Sequence, residues 1–259
     1  MTSFIHETAI ISPNAKLGTD CYIGAFCVIG GEVSLGDGVR LDSHVVIDGK
    51  TSVGDKTRIF PFVSIGLAPQ DLKYKGEPTA TEIGKRNHIR EFVTIHRGTA
   101  GGGGLTRIGD DNLLMAQAHV AHDCQIGNEV IMANAATLAG HVEIADRANV
   151  GAYSGVHQFC RVGREAFVGG YSVVVKDALP FAISQGNHAK CYGLNRLGMK
   201  RRGYGKETIE KLRHAYHLLL LSKLNTSQAV ERIKEEISDC VEVDYLVEFI
   251  ESSTRGVVK

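Results

Sequence analysis

Aliphatic residues recur at every sixth position through most of the chain. The series begins at Ile5 and keeps its phase to Ile65, resumes from Ile83 to Ile95, and runs from Ile108 to Val174 after a shift of one position. Glycine follows the aliphatic residue at 12 of these 26 positions. This period is typical of a hexapeptide parallel β-helix. It argues against a β-sandwich, whose strands alternate with a period of two.

Each hexapeptide is expected to form a short strand and a tight turn, so that three of them make one triangular coil. The aliphatic side chains would point into the prism and stack from coil to coil, roughly 4.8 Å apart. Glycine is expected at the turns because it avoids a Cβ clash and can take a positive φ. We therefore predict an all-β parallel β-helix over residues 1–188.

The repeat has two interruptions, near residues 66–82 and 97–107. Loops that leave a rigid solenoid commonly carry function, and such insertions fall on one face. The alternative is that both are tolerated surface insertions.

The six-residue period ends before the C-terminal part of the chain. Helical spacing follows Gly203, a capping residue at Thr226 precedes a second helical stretch, and a third begins near Asp244. We predict a small α-helical C-terminal domain over residues 189–259.

Composition narrows the class of protein further. The 259-residue chain has 29 basic and 29 acidic residues, and this zero balance argues against a general nucleic-acid binder. The absence of Trp fits a narrow aliphatic interior. Six cysteines without CxxC spacing indicate free thiols in a reducing cytoplasm. The first residues lack a secretory signal, and no stretch is apolar enough for a membrane span.

Charge is uneven despite the zero sum, because residues 189–206 contain basic residues and no acidic residue. This basic segment is either a solvated joint between domains or a dock for an anionic group, such as a diphosphate or an acidic carrier protein. Its basic residues are Lys190, Arg196, Lys200, Arg201, Arg202 and Lys206.

Residues separated by one coil, three hexapeptides along the chain, should lie on the same face of successive coils, and several histidines and their neighbours are related in this way. His122 is followed by Gly140 and Gln158, Asp123 by His141, and Ala139 by His157. His119 precedes His122 in the same turn region. The sequence therefore predicts a cluster of titratable groups at one corner of three consecutive coils.

General-base catalysis is the chemistry that this cluster favours. A neutral His122 can take a proton from a hydroxyl, Asp123 can fix its tautomer, and the Gly140 amide is a candidate oxyanion donor. No serine accompanies the pair, so the nucleophile would belong to the substrate. A zinc site is one alternative, although no cysteine pair supports it and no two histidines lie five apart. Polar turn histidines without a catalytic role are the other alternative.

Longer motifs carry a resemblance to a known family. They are QDLKY at 70–74, GEPT at 76–79, TIHRGT at 94–99, AHVAHDC at 118–124, ATLAGHV at 136–142, VHQFC at 156–160, QGNHA at 185–189, KRRG at 200–203 and STRG at 253–256. On these motifs the chain resembles the acyl-[acyl-carrier-protein]–UDP-N-acetylglucosamine O-acyltransferases of lipid A biosynthesis. The resemblance covers nearly the whole chain. It implies a left-handed β-helix and a homotrimer with active sites between neighbouring subunits.

The resemblance also implies an activity and a set of residues. It implies transfer of an (R)-3-hydroxyacyl chain from acyl carrier protein to the 3-hydroxyl of UDP-N-acetylglucosamine, without a cofactor or a metal. His122 resembles the general base, Asp123 its orienting partner and Gly140 the oxyanion donor. Substrate contacts are implied for Gln70, Asp71, Lys73, His119, His141, His157, Gln158, Gly170, His188, Asn195, Arg201 and Arg202.

Some of these contacts have particular implied partners. Asp71 and Lys73 resemble contacts to the glucosamine. Asn195, Arg201 and Arg202 resemble contacts to the nucleotide, diphosphate and pantetheine groups. Gly170 resembles a position where glycine leaves the acyl groove open for a longer chain, and His188 bounds that groove. Leu197 departs from the family pattern, because some members have Glu there beside the nucleotide.

Two other functions are alternatives to this one. The sister N-acyltransferase of the same pathway carries an additional N-terminal uridine-binding domain, for which a repeat beginning at Ile5 leaves no room. A non-enzymatic hexapeptide scaffold predicts no concentration of polar groups at one corner.

Overall fold

Three sheets, parallel except for the last strand of the first, form the three faces of a triangular prism in the computed structural model, which describes residues 2–259. The first sheet has eleven strands: Phe4–Ile5, Tyr22–Ile23, Arg40–Leu41, Arg58–Ile59, His88–Ile89, Leu113–Leu114, Ile131–Met132, Asn149–Val150, Phe167–Val168, Ala182–Gln185 and Lys190–Leu194. The second has nine: Ile10–Ile11, Val28–Ile29, Val46–Ile47, Ser64–Leu67, Thr94–His96, His119–Val120, Thr137–Leu138, Gly155–Val156 and Val173–Val174. The third has eight: Lys16–Leu17, Val33–Leu35, Lys50–Val53, Ala80–Ile83, Leu105–Ile108, Gln125–Ile126, Glu143–Ile144 and Arg161–Val162.

The strand register confirms that three hexapeptides make one coil. Phe4 pairs with Tyr22, and Thr137 pairs with Gly155, each one coil further along the chain. More of the chain intervenes where Ser64 pairs with Thr94 and where Thr94 pairs with His119. Both interruptions therefore leave the prism at the corner between the second and third sheets, on consecutive coils.

The aliphatic positions of the repeat fill the prism, as predicted. Beyond the first coil they are almost inaccessible; Ile23, Ile65 and Leu138 are 0% exposed. Side chains alternate between inward and outward along each strand, and the residues two positions earlier, such as Val39 and Val63, are buried in the same core. The fold is the left-handed parallel β-helix followed by a small helical domain.

The glycines of the repeat avoid a Cβ clash, as expected, but all except one do not supply the positive φ of the turn. A Cβ on Gly18 would lie 2.5 Å from the carbonyl carbon of Gly36 in the next coil, so glycine here permits close approach of two backbones. Positive φ falls two residues after the glycine position, on residues such as Asp123 and His141, with φ of 61° and 62°. The expectation that the repeat glycines supply the positive φ is therefore wrong, with Gly66, at φ 74°, as the exception.

Four helices follow the β-helix: α1 (Arg196–Arg201), α2 (Lys206–Leu221), α3 (Thr226–Glu236) and α4 (Val241–Glu251). The sequence pattern missed α1, which is too short to show periodicity. The cap of α3 is Asn225 rather than Thr226, because the Asn225 side chain accepts from the Gln228 amide and Gln228 reaches back to Asn225. Leu179 and Phe181 join the helices in a second apolar core.

The predicted boundary at 188/189 falls in the turn of an antiparallel hairpin, Ala182–Gln185 with Lys190–Leu194. The hairpin extends the first sheet, and Ala182 also packs in the core of the helices. Among residues 2–259 no helix is both long enough and apolar enough to cross a membrane.

Candidate active site

The predicted cluster lies at the corner between the second and third sheets. Val120, Leu138 and Val156 stack directly above one another in the second sheet. The residues two positions later, His122 and Gly140 among them, therefore occupy equivalent places on consecutive coils. Both interruptions leave the prism just below, so they flank this corner.

His122 and Asp123 form a hydrogen-bonded pair. His122 Nδ1 lies 2.8 Å from Asp123 Oδ2. The Asp123 side chain is fully buried, whereas 17% of the His122 side chain is exposed. His122 Nε2 has no hydrogen-bond partner within residues 2–259. The carboxylate therefore holds the ring from behind and leaves Nε2 to accept a proton from a ligand.

The Asp123 carboxylate is held by the second interruption. Thr99 donates to it twice, from its backbone N–H to Oδ1 over 2.9 Å and from its hydroxyl to Oδ2 over 2.6 Å. The Asp123 N–H donates to the Thr106 hydroxyl over 2.8 Å. Sequence reasoning missed Thr99, whose only signal was its place at the start of a glycine-rich interruption.

Gly140 packs directly on His122. A Cβ at this position would lie 2.5 Å from His122 Cε1 and 2.7 Å from Nε2. The Gly140 N–H donates no hydrogen bond within residues 2–259. At the corner between the third and first sheets, by contrast, the equivalent backbone N–H groups of Asp110 and Asn128 donate to side chains of the following coil. A free amide beside Nε2 can therefore stabilise a developing oxyanion.

His141 completes this side of the cluster. Its ring stacks on Phe159 with centroids 4.4 Å apart and meets His122 edge-on at 5.0 Å. Burial lowers the pKa of His141, and the nearby carboxylates of Asp123 and Asp71 act in the opposite direction. Asp71 in the first interruption is thus close enough to influence this imidazole.

His122, Asp123 and His141 also form a candidate metal site, since one ligand atom from each lies within 4.8 Å of the others. The zinc alternative is therefore geometrically available. Both carboxylate oxygens of Asp123, however, already accept hydrogen bonds from Thr99, and Oδ2 also faces His122 Nδ1. A carboxylate with three of its roughly four acceptor sites engaged in this way fits a hydrogen-bonded acid–base pair better than a metal ligand.

Two further histidines lie on the second sheet beside the pair. His119 Nδ1 lies 2.7 Å from the Thr94 hydroxyl, and its ring meets His96 edge-on at 5.1 Å. Burial lowers the pKa of both, that of His96 to about 4, so both remain neutral at physiological pH. Counting three hexapeptides per coil missed His96, because the second interruption adds residues between its strand and the next strand of the same sheet.

Cys124 follows the pair in sequence but does not act as a nucleophile. Its thiol is buried and donates to the Ala139 carbonyl over 3.2 Å. Burial raises its pKa to about 12, so the thiolate is absent at neutral pH. Among residues 2–259, no serine, threonine or cysteine side chain is hydrogen-bonded to His122.

The remaining predicted contacts lie around and beyond this corner. His157 Nδ1 lies 3.1 Å from the Gln158 carbonyl and 3.1 Å from the Arg255 guanidinium, which the sequence analysis did not select. Gln70 and Lys73 are exposed on the first interruption. Gly170 occupies the corner between the first and second sheets, and His188 lies in the hairpin turn. Within residues 2–259 no hydrogen bond or ion pair joins these residues to His122.

The basic segment is partly neutralised by acids from the β-helix. Arg202 pairs with Glu129 and Glu165, each over 3.1 Å. Burial raises the pKa of Glu165, and the guanidinium of Arg202 opposes that effect. Asn195 caps α1 by accepting from the Gly198 N–H, and Arg201 is exposed. Charge counting along the chain could not reveal these pairs, because the acids come from other coils.

A hexapeptide β-helix that carries a histidine–carboxylate pair and a free amide at one corner, beside a Cys124 thiol too buried to act as a nucleophile, is typical of a hexapeptide-repeat acyltransferase. Two family models match. One is described as bacterial transferase hexapeptide (six repeats) and matches residues 14–49 and 105–140. The other is described as UDP N-acetylglucosamine O-acyltransferase, domain 2, and matches residues 177–258.

Named relatives match this chain over nearly its full length. The acyl-[acyl-carrier-protein]–UDP-N-acetylglucosamine O-acyltransferase of Thermodesulfovibrio yellowstonii is 51% identical over 98% of this chain and 99% of its own. The LpxA structure from Acinetobacter baumannii is 46% identical, with a TM-score of 0.97 over 99% of this chain and 100% of its own. The UDP-N-acetylglucosamine acyltransferase structure from Bacteroides fragilis is 40% identical, with a TM-score of 0.97 over 99% of this chain and 100% of its own. The chain belongs to the acyl-[acyl-carrier-protein]–UDP-N-acetylglucosamine O-acyltransferase family.

Proposed function

We propose that this chain transfers an (R)-3-hydroxyacyl group from the thioester of acyl carrier protein to the 3-hydroxyl of UDP-N-acetylglucosamine, the first step of lipid A biosynthesis. The observation that carries the proposal is the 2.8 Å contact between His122 Nδ1 and Asp123, which leaves Nε2 unpartnered beside the Gly140 amide. The names of the relatives support the choice of the two substrates.

His122 acts first as the general base. Its Nε2 takes the proton of the sugar 3-hydroxyl as that oxygen attacks the thioester carbonyl carbon. A new C–O bond forms, and the carbonyl electrons move to oxygen, where the Gly140 N–H stabilises the negative charge. The Asp123 carboxylate stabilises the imidazolium that results.

Collapse of the intermediate completes the transfer. The carbonyl re-forms, the C–S bond breaks, and the departing sulfur of the carrier's prosthetic arm takes the proton from His122 Nε2. The products are the 3-O-acylated UDP-sugar and the carrier thiol. No net proton, oxidant or cofactor is needed, and the neutral state of His96 and His119 keeps further positive charge away from the base.

The other predicted contacts bind the substrates. Asp71 and Lys73 bind the glucosamine, while His141, Gln158 and His119 line the sugar and the acyl chain. His157 lies near the phosphate side of the nucleotide. Asn195, Arg201 and Arg202 serve the nucleotide, diphosphate and pantetheine groups, although Arg202 must then share its guanidinium with Glu129 and Glu165.

The chain works as a homotrimer with its active sites between subunits. Support comes from the family to which the chain belongs and from Gly170 and His188, which lie on elements away from the His122 corner, so that a single chain does not bring all the predicted contacts together. The six cysteines are unpaired, which supports a cytoplasmic location. A cross-linking or light-scattering measurement that gave a stable, active monomer would contradict the trimer.

An acceptor comparison tests the reaction itself. The purified chain, given a 3-hydroxyacyl carrier-protein thioester, should acylate UDP-N-acetylglucosamine and leave its 3-O-acylated, deacetylated derivative untouched. The sister N-acyltransferase would show the opposite preference. The His122→Ala variant should lose turnover by 10²- to 10⁴-fold while remaining folded; retention of more than about a tenth of the rate would overturn the base assignment.

The acyl chain length follows from Gly170. A Cβ there would touch only the Ala152 backbone, 3.3 Å from its carbonyl oxygen, so a larger side chain can be accommodated and would project outward. When the chain is assayed with a panel of 3-hydroxyacyl carrier-protein thioesters, the longer acyl chains should be transferred faster than the shorter ones. Gly170→Met should shift that preference to shorter chains.

A further inference from the structure

The second interruption of the repeat, residues 97–107, lies against Asp123 rather than projecting into solvent. Its short 3-10 turn, Ala100–Gly102, begins after Thr99, whose backbone is extended with φ −120° and ψ 154°. A threonine in this position usually caps the turn with its hydroxyl. Thr99 makes no such cap bond; its hydroxyl points to Asp123 instead and donates to Oδ2 over 2.6 Å.

Thr99 contacts both oxygens of the same carboxylate. Its backbone N–H donates to Oδ1 over 2.9 Å while its hydroxyl donates to Oδ2. Two donors from one residue fix the rotation of the carboxylate about its Cβ–Cγ bond. In this orientation Oδ2 lies 2.8 Å from His122 Nδ1 but 3.9 Å from His141 Nε2. The carboxylate thus pairs with one imidazole and not with the other.

Two glycines let the loop approach this closely. A Cβ on Gly98 would lie 2.8 Å from Asp123 Oδ1, and a Cβ on Gly102 would lie 2.1 Å from Asp123 Cγ. Neither glycine has a positive φ, so close approach and not backbone conformation requires glycine there. The Asp123 side chain is fully buried as a result, and water cannot replace a donor that is lost.

We propose that Thr99 is a positioning residue for acyl transfer, which directs the Asp123 carboxylate onto His122 Nδ1. The inference rests on the proposed function, since it assumes that His122 is the base and Asp123 its partner. Thr99 itself contacts Asp123 and not His122, so its effect on turnover passes through the carboxylate. The second interruption is then a clamp over the catalytic pair rather than a tolerated insertion.

Replacement of the hydroxyl tests the proposal. Thr99→Val keeps the shape and the backbone donor but removes the hydroxyl, whereas Thr99→Ser keeps the hydroxyl. We expect Thr99→Val to lower kcat roughly 10- to 100-fold with KM for UDP-N-acetylglucosamine within about threefold, because a buried hydrogen bond to a charged group is lost. Thr99→Ser should recover most of the rate. If Thr99→Val folds poorly, Thr99→Ala removes the same hydroxyl and must give the same loss.

Thr79→Val is the matched control. Thr79, in the first interruption, is also buried and lies beside the other end of the loop, since a Cβ on Gly104 would lie 3.8 Å from its methyl group, but its hydroxyl donates to the Glu77 carbonyl and not to Asp123. This variant should keep kcat within about twofold. An equal loss of kcat in Thr79→Val and Thr99→Val would overturn the proposal, because the loss would then report general disturbance of the loop.

A double-mutant cycle separates positioning from a structural role. If Thr99 acts through the carboxylate, Thr99→Val should cost less than about threefold in an Asp123→Ala background. A further tenfold loss there, or a kcat of Thr99→Val above a third of wild type, would overturn the proposal. His122→Ala in the same assay reports on the proposed function separately, since a fully active His122→Ala would contradict the base whatever Thr99→Val does.

Discussion

Gly140→Ala is the substitution whose consequence the structure defines most closely. The added Cβ would lie 2.5 Å from His122 Cε1 and 2.7 Å from Nε2, against ordinary contacts of about 3.5 Å. The imidazole must therefore retreat by about 1 Å, and its 2.8 Å hydrogen bond to Asp123 must lengthen or tilt. A misplacement of about 1 Å can cost 10²-fold in rate, or about 2.7 kcal/mol of transition-state stabilisation. The alanine keeps its N–H, so the proposed oxyanion donor remains.

The assay is the initial rate of transfer from a 3-hydroxyacyl carrier-protein thioester to UDP-N-acetylglucosamine, with thermal unfolding measured in parallel. We expect kcat to fall roughly 100-fold. Gly36→Ala is the matched clash control, because its Cβ would lie 2.4 Å from Asp55 Oδ1 at a corner several coils away from the catalytic pair. It should lower stability but leave kcat within about threefold. A Gly140→Ala enzyme with more than a third of wild-type kcat would refute the close packing of Gly140 on the base.

Three other predictions concern stability, acid sensitivity and metals. Thr81 Oγ1 is buried without a hydrogen-bond partner in residues 2–259, so Thr81→Val should raise the free energy of unfolding in urea by about 1 kcal/mol; a loss would mean that the hydroxyl is satisfied in solution. The pKa of His96 is about 4 in the folded chain against 6.5 for a free histidine, so the unfolded state binds more protons and stability falls as pH drops from about 6.5 towards 4. His96→Leu should reduce the loss of unfolding free energy between pH 7 and pH 5 by about 2 kcal/mol, and an unchanged loss would contradict the burial of a neutral ring. Prolonged chelation should leave the transferase rate unchanged, because both Asp123 oxygens already accept hydrogen bonds; loss of rate restored by zinc would favour the metal alternative.

The fold was accessible from the sequence because the β-helix is a one-dimensional repeat. One aliphatic residue per hexapeptide sets the register, so Asp123 and His141 could be stacked by counting three hexapeptides along the chain. The same arithmetic fails wherever the chain leaves the prism. His96 was missed for that reason, since the second interruption lies between its strand and the next strand of the same sheet.

The six-residue pattern could not predict the contacts made by irregular segments. The six-residue period does not predict the two hydrogen bonds that Thr99 donates to Asp123. The path of the interruption depends instead on two glycines that pack against the carboxylate. The basic segment likewise contains no acid of its own, and only folding brings Glu165 to Arg202. Handedness came from the resemblance to a family and not from the period.

The central claim is that His122 takes the proton of the acceptor hydroxyl. The most direct measurement is the single-turnover rate of 3-O-acylation of UDP-N-acetylglucosamine by wild-type enzyme and by His122→Ala, with both substrates saturating and the product identified by NMR. We predict a 3-O-ester from the wild type and a rate at least 10²-fold lower from the variant, with the fold intact. A rate in the variant within tenfold of wild type, or acylation of another position, would contradict the account.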